Sequence, residues 1–216
     1  MIDLHTHTVF SDGVLIPAEL IQRYKVCGCH YLAITDHVDA TNIDLIIPRI
    51  ASIAPEYSKY FGVTVLPGCE LTHIPPKTFH EMVGRAREWG AKVIVGHGET
   101  AVEPVAKGTN RAAIEAGVTI LAHPGFITED DARLAAEKGV FLEVSARNGH
   151  SLTNGHVAAV ARKTGARLIF SSDGHTPDNI ATRAWADSVL RGAGLSDDEI
   201  KVVWEHAYDL CKGMST

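Results

Sequence analysis

The sequence predicts an α/β fold in which seven parallel strands close into a barrel, and two observations carry the prediction. The first is a repeated unit. Six times a glycine ends a helix-like stretch and an apolar, strand-like run follows at once or within a few residues. Glycine past a helix end supplies the left-handed conformation that turns the chain into the next strand. With the opening strand the runs number seven. Strict alternation of helices with near-continuous apolar strands argues for a parallel sheet buried on both faces. The second observation is that nearly every run ends in histidine or a carboxylate. A barrel gathers its strand ends at one mouth, whereas a doubly wound sheet spreads them along an edge, so this recurrence favours the barrel.

The opening stretch, DLHTHTVFSDG at 3–13, places His5 and His7 two residues apart. In a strand both imidazoles face one side, where two neutral nitrogens can grip a cation. Asp12 follows on the loop. The later runs are 31–35 after Gly28, 63–66 after Gly62, 92–95 after Gly90, 118–122 after Gly117, 140–144 after Gly139 and 167–170 after Gly165. Pro17 starts a helix with Leu20, Ile21, Tyr24 and Cys27 on one face. The apolar stretch 42–60 contains Pro48 and Pro55, which predict a bend or a split. Thr78 and Glu81 form a capping-box pattern ahead of Met82, Val83, Ala86 and Trp89. Thr128 and Asn154 read as amino-terminal caps. Ser196 and Glu199 open a last helix that buries Ile200, Val203, Trp204, Ala207 and Cys211.

With 216 residues, 45% hydrophobic and 21% charged, the chain suits one globular domain spanning 1–216. A net charge of −6 without a run of Lys or Arg gives no reason to expect a nucleic-acid or anionic-membrane surface. The start MIDLHTHT does not read as a signal peptide, and no apolar run approaches the ~20 residues that span a bilayer, so a cytoplasmic location is expected. Cys27 and Cys29 flank Gly28, with Cys69 and Cys211 far off. This matches neither a zinc knuckle nor a disulfide framework, and predicts reduced, mostly buried thiols.

The strand ends carry the chemistry. After His5 and His7 come Asp36 and His37, then Glu70, His97, His123, Glu143, and finally Asp173 and His175. Each has a bland reading alone: His97 as a hydrogen-bonded core histidine, His123 as a strand terminator, Glu70 or Asp173 as a helix cap. Their recurrence at successive strand ends predicts a multinuclear metal site instead. His30, His73, His80, His150, His156 and His206 lack that placement. His80 and His206 fall in predicted helices, while His150 and His156 lie near the sixth loop, where a substrate role stays open.

DLHTHTVFSDG, TDH, GCE, GHGE, AHPG and SSDGH, in this order from Asp3 to His175, resemble the PHP (polymerase and histidinol phosphatase) family. The resemblance implies a distorted, TIM-like (β/α)7 barrel with a trinuclear metal centre at its carboxyl-terminal mouth. Residues 184–213 are expected to add helices packed on that barrel. It implies that His5, His7, Glu70 and Asp173 hold one metal, and that Glu70 bridges to a second held by His97 and His123. Asp12, His37 and His175 are implied to hold the third. Some relatives have histidine at the Asp12 position, and oxygen there shifts preference toward a harder ion such as manganese or iron. The expected cofactors are two or three divalent ions, zinc, manganese or iron.

Family members are metal-dependent phosphoesterases or barrels attached to DNA polymerases. The expected activity is hydrolysis of a small phosphomonoester, histidinol-phosphate-like or a nucleotide. Clustered metals lower the pKa of a bridging water and clamp the phosphate oxygens. Glu70, Asp173 and Asp36 are the expected catalytic carboxylates, and Asp36, Glu99 and Glu143 are candidates for supporting ligands or protonating the leaving alcohol. Arg147 with Asn148 on the sixth loop, and Arg183 beyond the seventh strand, are candidates for gripping phosphate. Two alternatives use the same residues: a nuclease, and a non-catalytic metal-stabilised module. The substrate and any homo-oligomer are not fixed by these residues.

Overall fold

The structure, a computed structural model, describes residues 1–214. Its strands are β1 (Ile2–Asp3), β2 (Tyr31–Ile34), β3 (His37–Val38), β4 (Thr64–Leu71), β5 (Val93–His97), β6 (Ile120–Ala122), β7 (Phe141–Ser145) and β8 (Leu168–Ser171). They pair in parallel in the order β1-β2-β4-β5-β6-β7-β8, with β3 added against β4. A parallel Thr6–Gly174 bridge, in which the His7 N–H donates to the Gly174 carbonyl at 2.9 Å, joins the two ends of the sheet. The result is the expected nearly closed, seven-stranded TIM-like barrel.

Between the strands run α1 (Pro17–Val26), α2 (Ile43–Phe61), α3 (Phe79–Glu88), α4 (Thr109–Ala116), α5 (Glu129–Lys138) and α6 (Asn154–Thr164). All six punctuating glycines have positive φ, from 70° at Gly62 to 98° at Gly90, so the periodic signal has the physical cause inferred from it. Alternation along β5 shows burial on both faces. Ile94 packs with Met82, Val83 and Ala113, while Val95 packs with Ala33, Ile120 and Ile169. Two last helices, α7 (Arg183–Gly192) and α8 (Asp197–Met214), press Leu190, Val203, Trp204 and Cys211 into the cluster that contains Ile2 and Phe170.

Several local expectations are corrected. The second strand is interrupted at Thr35 and Asp36, whose backbones still bond Thr6 and Glu70 while their side chains bond the first loop. The Thr6 N–H donates to Thr35 Oγ1 at 3.0 Å and the Thr8 N–H to Asp36 Oδ1 at 2.7 Å. The chain resumes as β3, with His37 opposite Glu70. Helix α2 runs unbroken through Pro48 and Pro55; four residues back from these, the carbonyls left without an N–H partner belong to exposed Asp44 and half-buried Ala51. Thr78 does not cap α3; it closes a 3-10 turn by donating to the Pro75 carbonyl. Asn154 clasps both backbone groups of Ser145 instead of capping α6. Cys27 lies just past α1 and is half-buried. Thr128 caps α5, and Ser196 with Glu199 forms the expected reciprocal pair.

Candidate metal centre

The barrel mouth gathers the strand-end residues in one place. Beyond β1, His5 and His7 are fully buried and point the same way. Glu70 on β4 lies at their centre: its Oε2 is 3.3 Å from His5 Nε2, 3.7 Å from His7 Nε2 and 2.7 Å from His37 Nδ1. Its Oε1 is 3.5 Å from His123 Nε2. Asp173 Oδ1 approaches His7 Nε2 at 3.2 Å, and Asp12 Oδ1 lies 3.0 Å from His175 Nε2 and 3.4 Å from His37 Nε2. Ligand atoms fall within 4.8 Å of one another in overlapping sets: His5, His7 and Glu70; His5, His123 and Asp173; Glu70, His97 and His123; and His7, Asp12, His37 and His175. The structure thus brings together all nine positions singled out in the sequence.

Their polar atoms fit a divalent cation better than they fit one another. His5 Nε2, both nitrogens of His7, both oxygens of Glu70 and His123 Nδ1 are buried without a hydrogen-bond partner among the described residues. Leaving so many polar atoms unsatisfied is costly. Converging imidazole and carboxylate lone pairs match a first-row divalent ion.

Charge balance tells the same story. Burial raises the Glu70 carboxyl, but the His5 and His37 imidazoles outweigh it and hold it well below the usual range. Asp173 and Asp12 are likewise pulled down against burial, by His5 and His7 in one case and by His175 and His37 in the other. Burial lowers the His5 imidazole, yet Glu70, Glu143 and Asp173 raise it well above its ordinary value. His37 rises to about 10 through Glu70 and Asp12, overcoming burial, while burial and its histidine neighbours lower His7 to about 3. The carboxylates thus concentrate negative charge at the point where the imidazoles converge, the electrostatic setting in which a cation is held.

Three acidic candidates act behind this layer. Glu143 holds His5 Nδ1 at 2.8 Å through Oε1 and accepts the His123 N–H at 3.0 Å through Oε2. Asp36 accepts from the Thr8 N–H and from the hydroxyls of Thr8 and Ser11. With both oxygens so engaged, it braces the first loop, one of the two roles left open for it, and it is not among the residues lining the cavity. Glu99 Oε1 accepts from the N–H groups of Gly108 and Asn110.

A cavity of about 190 Å³ opens above the ligands. Arg147 lines it, its Nη1 donating to the Asp173 carbonyl at 3.4 Å. Asn148 is exposed and outside the lining. Arg183 is not at the mouth: its Nε donates to Asp187 and its guanidinium stacks 4.3 Å from the Trp204 ring. Sequence reasoning missed His73, Glu103 and Thr72 in the lining and left His150 open. His73 stands two residues past β4, a strand-end signal that could have found it; nothing in the pattern marks Glu103. A larger hollow of about 500 Å³ between α6 and α8 has a mostly apolar floor with Arg162, Arg167, Asp198, Glu199 and His206 in its lining, and it shares no residue with the centre.

Comparison with known proteins gives the family and the fold. The family model described as PHP domain matches residues 3–110. An uncharacterized protein of Methanocaldococcus jannaschii is 45% identical over 201 residues, covering 92% of each chain. A Clostridium botulinum protein named "Probable phosphatase" is 26% identical, covering 93% of this chain and 89% of its own. Among solved structures, a candidate histidinol phosphatase of Listeria monocytogenes superposes with a TM-score of 0.60 at 10% identity, covering 87% of this chain and 99% of its own. At that identity the likeness concerns the fold. No helix among the described residues is long and apolar enough to cross a membrane.

Proposed function

Since the chain belongs to the PHP domain family of metal-dependent phosphoesterases, we propose that its mouth hydrolyses a small phosphomonoester at a three-ion centre. The observation that carries this reading is the set of buried, unpartnered ligand atoms beneath a cavity of about 190 Å³ that one guanidinium lines. His5, His7, Glu70 and Asp173 would hold one ion, Glu70, His97 and His123 a second, and Asp12, His37 and His175 a third. Zinc, manganese and iron all suit mixed imidazole and carboxylate sites. Bound ions supply Lewis-acid charge for the phosphate oxygens and lower the pKa of an attacking water.

The chain's own residues do the rest. Glu143 fixes the His5 ring through Nδ1, which turns Nε2 toward the centre. Arg147 is the non-titrating cation at the cavity, suited to a phosphate oxygen. Its half-buried side chain touches Asp173, which keeps the fork near the ligands. The cavity accommodates a phosphoryl group and a short leaving group, and this size, with the −6 net charge, favours a small metabolite over a nucleic-acid strand. The phosphatase name of a relative matched over most of both chains points the same way.

The test is phosphate release from histidinol phosphate, nucleoside monophosphates and p-nitrophenyl phosphate, beside a single-stranded oligonucleotide. Protein would be reconstituted separately with zinc, manganese or iron, with His97→Ala as control. Metal-dependent release from the monoesters that is lost in the variant is expected. Cleavage of the oligonucleotide alone would replace the reading with a nuclease, and no turnover by a metallated protein would leave a non-catalytic module.

A further inference from the structure

Among the described residues, three with positive φ are not glycine: His123 at 29°, Asp173 at 52° and His73 at 52°. The first two are expected ligands. Non-glycine residues persist in this region only where their surroundings hold them there, and such strain concentrates at working sites. His73 shares the peculiarity of the ligands without belonging to the nine.

Its side chain explains why. His73 Nε2 lies 3.2 Å from Glu103 Oε2, and the same oxygen lies 3.1 Å from His97 Nε2. Two donors bound to one tetrahedral ion at ~2.0–2.1 Å are separated by roughly 3.3 Å, close to both distances. The His97 Nδ1 edge faces the Gly98 carbonyl at 3.2 Å, which leaves Nε2 as the nitrogen available to a cation. His97 belongs to two candidate sets, an inward one with Glu70 and His123 and an outward one with His73 and Glu103. It can serve one ion at a time.

Exposure orders the two sets. The side chains of His73 and Glu103 are 43% and 36% exposed, that of His97 is 3%, and Glu70 is fully enclosed. The outer set meets solvent, and the inner set lies deeper, reached only along the cavity wall that His97 and His123 line. The second Glu103 oxygen lies 3.4 Å from His150 Nε2, a contact that steadies the carboxylate from the opposite wall. The geometry points to an outer cation position, formed by His73, His97 and Glu103, through which a divalent transition-metal ion enters and leaves the inner Glu70–His97–His123 position. His97 then acts as the pivot that the two positions share.

This inference rests on the metal centre and not on the phosphatase reading, and its test uses no substrate. Chelator-stripped full-length protein is mixed with cobalt(II), and ligand-field absorption follows loading by stopped flow. Bound ions are then counted by elemental analysis after equilibrium dialysis. The variants are His73→Asn and Glu103→Gln, singly and together. Asparagine tolerates positive φ, so His73→Asn removes the imidazole without adding backbone strain, and circular dichroism confirms the fold. The expected result is an unchanged ion count at saturation, with loading and chelator-driven release both slowed tenfold or more in the double variant. Unchanged rates would overturn the proposal. Loss of one whole equivalent would also overturn it, by showing an independent ion where exchange is claimed. A wild-type protein that takes up no cobalt at all would instead remove the metal centre itself, a failure recognisable before any variant is examined.

Discussion

Glu70 is within 3.7 Å of four imidazoles, more than any other carboxylate of the centre faces at that distance. Replacing it with glutamine is therefore expected to strip more metal than replacing a terminal ligand such as Asp12, with elemental analysis of the dialysed proteins as the measurement; equal losses would contradict its bridging position. The two arginines make a second residue-scale contrast. Arg147→Ala is expected to raise the KM for a phosphomonoester about tenfold or more, as befits loss of a charge-assisted contact. Arg183→Ala, which removes only a stacked surface fork, is expected to leave the KM unchanged; the reverse pattern in steady-state kinetics would refute the assignment. At this scale most of the ligands were legible because a strand's period of two aims His5 and His7 together, and because the ligands from His37 onward stand at the ends of apolar runs; Asp12 lies on the first loop. Glu103 was not, since its loop follows no period and its role comes from a contact with His73, thirty positions away.

The elements were legible through glycine, and least legible where a side chain overrides the local pattern. Thr35 and Asp36 continue an apolar run in sequence, yet the strand is interrupted where their side chains bond the first loop, a tertiary choice invisible in a linear pattern. Asn154 looks like a helix cap and is spent on Ser145 for the same reason. The turn after β6 is a case in which local and global demands agree. Gly125 sits at φ 61°, and a Cβ there would strike the Glu99 carbonyl oxygen. Gly125→Ala is expected to cost about 2 kcal/mol or more, from the sum of left-handed strain and displaced backbone. A urea midpoint unchanged in metal-free protein would show that the two loops yield more readily than their packing suggests.

Across the whole molecule, Asp3 ties three elements together. Its carboxyl accepts from the Tyr24 hydroxyl of α1 and from the N–H of Ser172 just past β8, and it belongs to β1 itself. Burial raises its pKa from 3.8 to about 6 despite these bonds. Below 3.8 the folded and unfolded chains both carry the proton; between 3.8 and about 6 only the folded chain does, so stability falls as pH rises through that window and levels off above it. The stability of Asp3→Asn relative to wild type should thus improve by on the order of 2 kcal/mol between pH 4 and pH 6. Denaturant curves of metal-free protein at several pH values would show it, and a constant difference would exclude the linkage. The barrel as a whole was legible from the coincidence of its strand ends. Its manner of closure was not, because β1 has two residues and the join is a single bridge.

That join has a consequence for how the protein meets metal scarcity. His5 and His7 stand on one side of the seam and Asp173 and His175 on the other, so an ion shared between them acts as a rivet through the wall. With zinc bound, the amides of His7 and Val14, which donate to the carbonyls of Gly174 and His175, should exchange hydrogen slowly. On chelation they should exchange faster by an order of magnitude or more, while the amides of β5 stay protected. Equal protection with and without metal would mean the hydrogen bonds alone keep the seam shut. An unriveted wall would part at one known place and expose strand edges to proteases and to other chains. Starvation for metal would then shorten the lifetime of the molecule as well as silence its chemistry.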